Sequence, residues 1–484
     1  MVLKEQFSCD SFLMQIRIEC RMNTRLIAST RIAVGEGLCS TMVRRAIQIE
    51  VSVLKSFALC LMLVFTSSRA AQPAEGPIRV NGQRMLRHLD SLSEYGKNPR
   101  GGVSRVAYTE ADRAGRAYVM GLMREAGLAS TIDVAGNLVG VRAGSDATLK
   151  PIVIGSHIDS VPEGGNYDGD VGSLGAIEVA QTLNERGVRL RHSLQVIVFE
   201  NEEGVMLGST AVGRGADAAR LNSVSQSGKI VRDGVKFLGG DPDRIAEAKR
   251  QPGSIRAYIE LHIEQGAVLE QQHVQIGIVE GIVGILDSEV TVEGFANHGG
   301  TTPMDQRHDA LLSAARFVDK FNQLVAGVPG RQVGTVGWIK AEPGAYNVIP
   351  GRVRMGLEIR DLDASKIKAI FERSRETADE IGRLNGTTFH FSSEDISAPA
   401  LTDASLQGMI GAAAKRLNFS TKRMPSGAGH DAQEMANLGP IGMIFIPSVG
   451  GVSHSPKEFS NPGDIENGAN VLLGTIRSLD VARD

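Results

Sequence analysis

Pro151-Ile152-Val153-Ile154-Gly155-Ser156-His157-Ile158-Asp159-Ser160 begins as an unbroken apolar run and ends in groups that bind protons or metals. A short run with no polar side reads as a strand buried on both faces. Gly172 to Arg186 then has helical spacing, and Ser193 to Glu200 (SLQVIVFE) is a second buried strand. Strand, helix and strand in that order build a parallel pair inside a sheet covered on both sides. Ligands of such sheets gather beyond the carboxyl ends of the strands. His157 lies there after Ile152–Ile154, and Glu202-Glu203 after Val196–Phe199.

Working outward, Arg84 to Leu92 and Glu110 to Ala126 have helical spacing, and Leu138 to Arg142 is strand-like. The middle of the chain changes character. Ser288 to Gly294 and Gly351 to Arg360 alternate like half-exposed strands, Thr302 to Val325 and Ala364 to Leu384 are amphipathic, and Thr387 to Ser392 is strand-like again. That β-α-β-β-α-β-like order suits a small α+β domain inserted into a larger one. The expected fold is α/β: a mostly parallel sheet with helices on both faces in residues 77–284 and 400–484, interrupted by the α+β insert in 285–399. Met443–Ile446 supplies a late buried strand of the larger domain.

The 484 residues suffice for two domains, with 42% hydrophobic and 22% charged residues and a net charge of -3. No basic, aromatic-interleaved patch exists, so no nucleic-acid partner is expected. All four cysteines (Cys9, Cys20, Cys39, Cys60) precede Glu75, which excludes thiol chemistry from the body. Arg44, Arg45 and Lys55 precede the apolar run Ser56–Phe65, and Ser68-Arg69-Ala70-Ala71 offers a small-residue cleavage site. Residues 42–70 thus read as a signal peptide, with export to the periplasm or medium and no stable membrane association after cleavage. Residues 1–41 then read as a gene-start artefact, with translation beginning at Met42.

Four segments carry candidate chemistry. Gly155 to Gly169 holds His157, Asp159 and, eleven residues after the histidine, Asp168 on a glycine-rich loop. Imidazole and carboxylate suit zinc or manganese. Phe199 to Gly204 holds adjacent Glu202 and Glu203, one able to bind a cation while the other accepts a proton from water. Glu260 to Gly266 supplies His262, and Gly450 to Pro456 supplies His454 in a turn after a strand. Each alone has a plain structural reading as a helix cap, a solvated acidic pair or a satisfied histidine. Together they furnish enough ligands for a two-metal centre.

These segments, with Asn297 to Met304 (NHGGTTPM), Asn347 to Gly351 (NVIPG), Arg360 to Asp363 (RDLD) and Ser426 to Ala432 (SGAGHDA), resemble in order the hydantoinase/carbamoylase-type amidases. Those belong to the co-catalytic zinc aminopeptidase and aminoacylase superfamily and include N-carbamoyl-L-amino-acid, β-ureido acid, allantoate and ureidoglycolate hydrolases. The resemblance covers about Pro77 to Arg483. It implies two divalent ions, zinc first, with manganese, cobalt or nickel as alternatives. His157 and His262 would hold one ion and Glu203 and His454 the other, with Asp168 bridging. Glu202 would be the general base, and Asp159 would orient His157. His298 would stabilise the oxyanion, reaching the site from a partner subunit in a homodimer formed through the insert, which would serve as lid and dimerisation domain. Asn347 and Arg360 would clamp the substrate carboxylate, with Gln265 and His430 completing the pocket.

The implied reaction is cleavage of a ureido C–N bond in N-carbamoyl-L-amino acids or β-ureido acids. Allantoate or ureidoglycolate hydrolysis is the nearest alternative, followed by N-acyl amino acid or dipeptide hydrolysis and, in another class, a metal-free binding protein. Val205-Met206-Leu207 stands where many relatives have Arg-Phe, and Gly299 replaces a frequent alanine. A secretion signal is also unusual for enzymes of cytosolic ureide metabolism.

Overall fold

The computed structural model describes residues 78–392 and 395–482, so the expected leader and gene-start segment lie outside the described residues. The larger sheet comprises β1 (Ala129–Ile132), β2 (Leu138–Arg142), β3 (Ile152–His157), β4 (Leu194–Phe199), β5 (Ala257–Ile263) and β6 (Ile276–Ile282). The chain then leaves it for β7 (Gly284–Glu293), β8 (Asn297–His298), β9 (Val333–Glu342), β10 (Val348–Ile349), β11 (Arg352–Asp361), β12 (Thr388–Phe391) and β13 (Asp395–Ser397). It returns with β14 (Ala400–Leu401), β15 (Thr421–Ser426) and β16 (Ile441–Ile446).

Among the described residues the large sheet has nine strands in the order β1-β2-β4-β3-β5-β16-β6-β14, with β15 also paired to β6. Its centre, β4-β3-β5-β16, is parallel. Alternate residues of these strands enter two interiors. Ile152, Ile154, Val196, Val198 and Ile259 pack with the helices Gly82–Ser93, Asp170–Glu185, Ala404–Arg416 and Pro462–Val481. Val153, Ile197, Phe199 and Tyr258 pack on the other face with Val212, Ala432 and Met435. That double coverage is why β3 and β5 are buried at every residue. Each large apolar side chain so enclosed contributes roughly 1.5–3 kcal/mol.

Parallel register brings the strand ends level: His157 pairs with Phe199, and His262 with Phe445. The residues just beyond them share one rim of the sheet.

The smaller sheet is antiparallel, ordered β12-β7-β11-β9 with β13 also on β7. Helices Ala310–Gly327 and Ala364–Asn385 cover one face, where Phe317, Phe321, Ile367 and Phe371 meet Val290, Val292, Val353 and Met355. The first helix starts later than its spacing suggests. Asp309 accepts hydrogen bonds from the Leu311 and Leu312 amides and caps it, leaving only the 3-10 turn Met304–Gln306 in the preceding segment. Strand β9 escapes the sequence reading because it is an edge strand exposed along most of its length, without clean alternation. Among the described residues no helix is long and apolar enough to cross a membrane.

Candidate metal centre

Gly155 to Gly172 turns from β3 into the helix Asp170–Glu185 through Gly169, whose φ is +68°. A Cβ at Gly169 would collide with the His157 ring, so glycine is required both for the turn and for the imidazole beside it. This loop places Asp168 against three histidines. Its Oδ1 lies 3.0 Å from His262 Nε2 and 3.6 Å from His157 Nε2, and its Oδ2 lies 3.4 Å from His454 Nε2. His454 Nε2 is also 3.3 Å from Glu203 Oε2, and His157 Nε2 is 3.7 Å from Glu202 Oε2. Among the described residues three groups of ligand atoms converge: His157–Asp168–His262 and Asp168–Glu203–His454, which share Asp168, and Glu260–His262–His430, which shares His262 with the first.

The supporting contacts assign each group its orientation. His157 Nδ1 faces the Asp159 main-chain oxygen at 3.0 Å, and His262 Nδ1 faces the Ile263 oxygen at 2.9 Å. Both rings therefore direct Nε2 at Asp168. The Asp159 carboxylate does something other than the expected orientation of His157, from which it stands 3.8 Å away. It accepts hydrogen bonds from the Glu202 and Glu203 amides, both at 3.1 Å. The short helix Glu202–Val205 has no cap from its own Asn201, and Asp159 supplies the missing acceptor from the neighbouring strand end. Gln265, itself at a φ of +58°, donates from Nε2 to Asp168 Oδ2 at 2.7 Å. His430 packs its ring edge-on against His262, 4.5 Å between centroids, and pairs with Ser426 Oγ at 2.7 Å.

Electrostatically the rim is an acidic cluster in a dry setting. Burial pushes the Glu203 carboxyl up to about 7, with Asp168 adding to the effect. Burial also drives Glu202 well above the usual carboxylate range, against the pull of His157. The hydrogen bond with Asp168 raises His454 to about 9 against burial. Burial holds His430 well below the usual imidazole value, with His262 adding, so that ring stays neutral. No lysine or arginine among the described residues forms an ion pair with Asp159, Asp168, Glu202 or Glu203. His262 Nε2 is buried and, although 3.0 Å from Asp168 Oδ1, makes no hydrogen bond of good geometry. Converging carboxylates, a buried ring nitrogen aimed at them without a well-formed hydrogen bond, and a set of N and O donors without thiolate fit zinc or manganese.

The insert's residues are not brought to this cluster. His298 is exposed on the β8–β10 ribbon, where its Nδ1 accepts hydrogen bonds from the Gly300 and Thr301 amides. The Asn347 oxygen accepts from the Gly299 amide at 2.7 Å. Neither His298 nor Asn347 has a hydrogen bond or ion pair with the cluster. Arg360 reaches the larger domain: Nη1 donates to the Gly427 oxygen at 2.6 Å, while Nε and Nη2 hold both oxygens of Glu358 at 2.8 Å. Gly427 and Ala428 line a cavity of about 650 Å3 that His454, Gln265 and Ser453 border on the metal side.

Sequence reasoning missed Ser453 and Glu458. Ser453 Oγ lies 2.9 Å from both Asp168 Oδ2 and Glu458 Oε2. An acid four residues after a candidate ligand was the available signal. It also missed Arg105, which has no motif around it; its buried guanidinium pairs with Asp170 and donates to the Ile158 oxygen beneath His157.

Residues 153–478 match Peptidase family M20/M25/M40. An N-carbamoyl-L-amino acid amidohydrolase of Geobacillus stearothermophilus is 39% identical over 405 residues, which span 83% of this chain and 99% of that protein. A ureidoglycolate hydrolase of Arabidopsis thaliana is 34% identical, across 84% of this chain and 88% of that protein. The crystal structure of a hydantoinase/carbamoylase family amidase from Burkholderia multivorans superposes with a TM-score of 0.77 at 34% identity, covering 84% of this chain and all of that one. The chain therefore belongs to peptidase family M20/M25/M40, in its branch of hydantoinase/carbamoylase-type amidases.

Proposed function

We propose that this hydrolase cleaves the ureido C–N bond of N-carbamoyl-L-amino acids or β-ureido acids, releasing amine, carbon dioxide and ammonia, with two divalent ions per chain. The observation that carries the reading is Asp168, whose two oxygens face His157 and His262 on one side and His454 on the other. His157, Asp168 and His262 would hold one ion, and Asp168, Glu203 and His454 the other. When bound, such ions supply Lewis acidity toward the carbonyl and acidify water.

The chain's own groups do the rest. Glu202, whose Oε2 lies 3.7 Å from His157 Nε2 at the edge of the ligand cluster, takes the proton of the attacking water on its carboxylate and returns it to the departing nitrogen. Asp159 fixes the peptide that carries it. Arg360 offers five N–H donors, of which three are engaged by Glu358 and Gly427, leaving two for a substrate carboxylate beside Asn347. Gln265 and His430 complete the polar wall. His298 would meet the developing oxyanion from a partner subunit in a homodimer built through the insert. In support, β9 pairs only with β11 among the described residues, so its outer edge is open, and it bears exposed Val333, Trp338 and Ile339. Export rests on the basic-then-apolar pattern of residues 42–70 alone.

Allantoate or ureidoglycolate is the second reading, favoured by the similarity to the ureidoglycolate hydrolase of Arabidopsis thaliana. Loading the purified chain with zinc or manganese, counting ions, and assaying N-carbamoyl-L-amino acids, N-carbamoyl-β-alanine, allantoate and ureidoglycolate side by side separates the two. Two ions and fastest turnover of a carbamoyl amino acid are expected. Preference for allantoate would select the second reading, and turnover only of N-acyl or dipeptide amides would reject both. A chain that bound no metal would be a binding protein.

A further inference from the structure

Glu458 is buried, 5% exposed, and both its oxygens are engaged by loops that carry ligands. Oε1 accepts from the Tyr167 and Asp168 amides, both at 3.0 Å. Oε2 accepts from the His454 amide at 3.2 Å and from Ser453 Oγ at 2.9 Å. One side chain thus ties the main chain at His454 to the main chain at Asp168, which lies 290 residues before Glu458 in the sequence. The other ligands have different supports. His157 and His262 end buried central strands and are oriented by nearby carbonyls, whereas His454 sits half-exposed in a loop at a φ of +53°.

We propose that Glu458 is a positioning residue that sets the spacing of Asp168 and His454, and so the affinity of the cation position formed by Asp168, Glu203 and His454. The His157–Asp168–His262 position depends on it much less. This deepens, and rests on, the two-cation reading above. A neutral amide at 458 keeps one acceptor oxygen but turns an NH2 group toward the His454 amide, so two donors face each other and the loop must shift. Partners of this kind behind metal ligands are worth roughly 10–100-fold in metal affinity.

The test is zinc binding by the full chain, measured by chelator competition for wild type, Glu458→Gln, His454→Ala and His262→Ala. Glu458→Gln should weaken one zinc by about 10–100-fold, the same ion that His454→Ala removes, and leave the other within about twofold. Unchanged binding, or equal weakening of both ions, would overturn the proposal. Gly165→Ala covers the case in which Glu458→Gln does not fold. Its added methyl would collide with the Glu458 carboxylate, and no left-handed φ opposes alanine there. It should reproduce the selective loss, and wild-type binding by it would count against Glu458. A wild type holding fewer than two zinc ions would instead overturn the two-cation reading itself, and this inference with it.

Discussion

Replacing Asp159 with asparagine separates two roles that sequence alone merges. Its carboxylate, 2% exposed, holds the amides of Glu202 and Glu203, while His157 leans on its main-chain oxygen, which the substitution leaves in place. Asparagine keeps one oxygen and presents an NH2 group to the other amide. One hydrogen bond to a charged acceptor is lost, worth about 1.5–3 kcal/mol. If that energy holds the Glu202 carboxylate where the proton is transferred, then at about 1.36 kcal/mol per decade kcat falls roughly tenfold to 150-fold. Ammonia release at saturating zinc and substrate reads kcat directly, and circular dichroism confirms the fold. A kcat within twofold of wild type would rule out this role for the Asp159 carboxylate. So would a defect that excess zinc cures, because it would place the role of Asp159 at the metal ligands.

Three further outcomes follow from the same geometry. At about pH 8.5, above the value of about 7 to which burial raises Asp170, Asp170→Asn should strip the buried Arg105 guanidinium of its counter-charge and lower stability by about 3–5 kcal/mol, read as a lower urea midpoint of the metal-free chain; an unchanged midpoint would contradict it. His454 is raised to about 9 by Asp168, so below that pH zinc must displace its proton. Zinc affinity should therefore rise with pH, by about tenfold per unit for each proton displaced, between roughly pH 6 and 8; a flat profile would count against His454 as a ligand. Arg360→Ala should raise KM for carboxylate substrates roughly 10- to 100-fold, as loss of a charge-assisted pair implies, and spare a neutral ureido compound. Equal loss for both would remove Arg360 from the clamp.

Much of this arrangement is legible in the sequence because burial on both faces leaves a plain trace. The run Ile152–Ile154 and the stretch Val196–Phe199 have no polar side, so they are central strands, and the polar residues directly after them fall on one rim. In the insert the opposite pattern is visible: β7 and β11 alternate because only one face is covered, while the exposed edge strand β9 leaves no such trace. What stays hidden depends on contacts between distant segments. Whether Asp159 serves His157 or the Glu202–Glu203 amides turns on a strand register, and Glu458 matters only because its loop lies against Asp168. The start of helix Ala310–Gly327 was blurred because the polar turn before it continues the helical spacing until Asp309 caps it.

Ammonia release from an N-carbamoyl-L-amino acid by the zinc-loaded chain, compared with Glu202→Gln, tests the assigned chemistry most directly. Wild type should release ammonia steadily with matching carbon dioxide, and the mutant should still bind two zinc ions but turn over roughly 100- to 10,000-fold more slowly, the share a positioned acid–base group supplies. Release by the mutant at the wild-type rate, or none by the wild type from any ureido acid despite bound zinc, would contradict it.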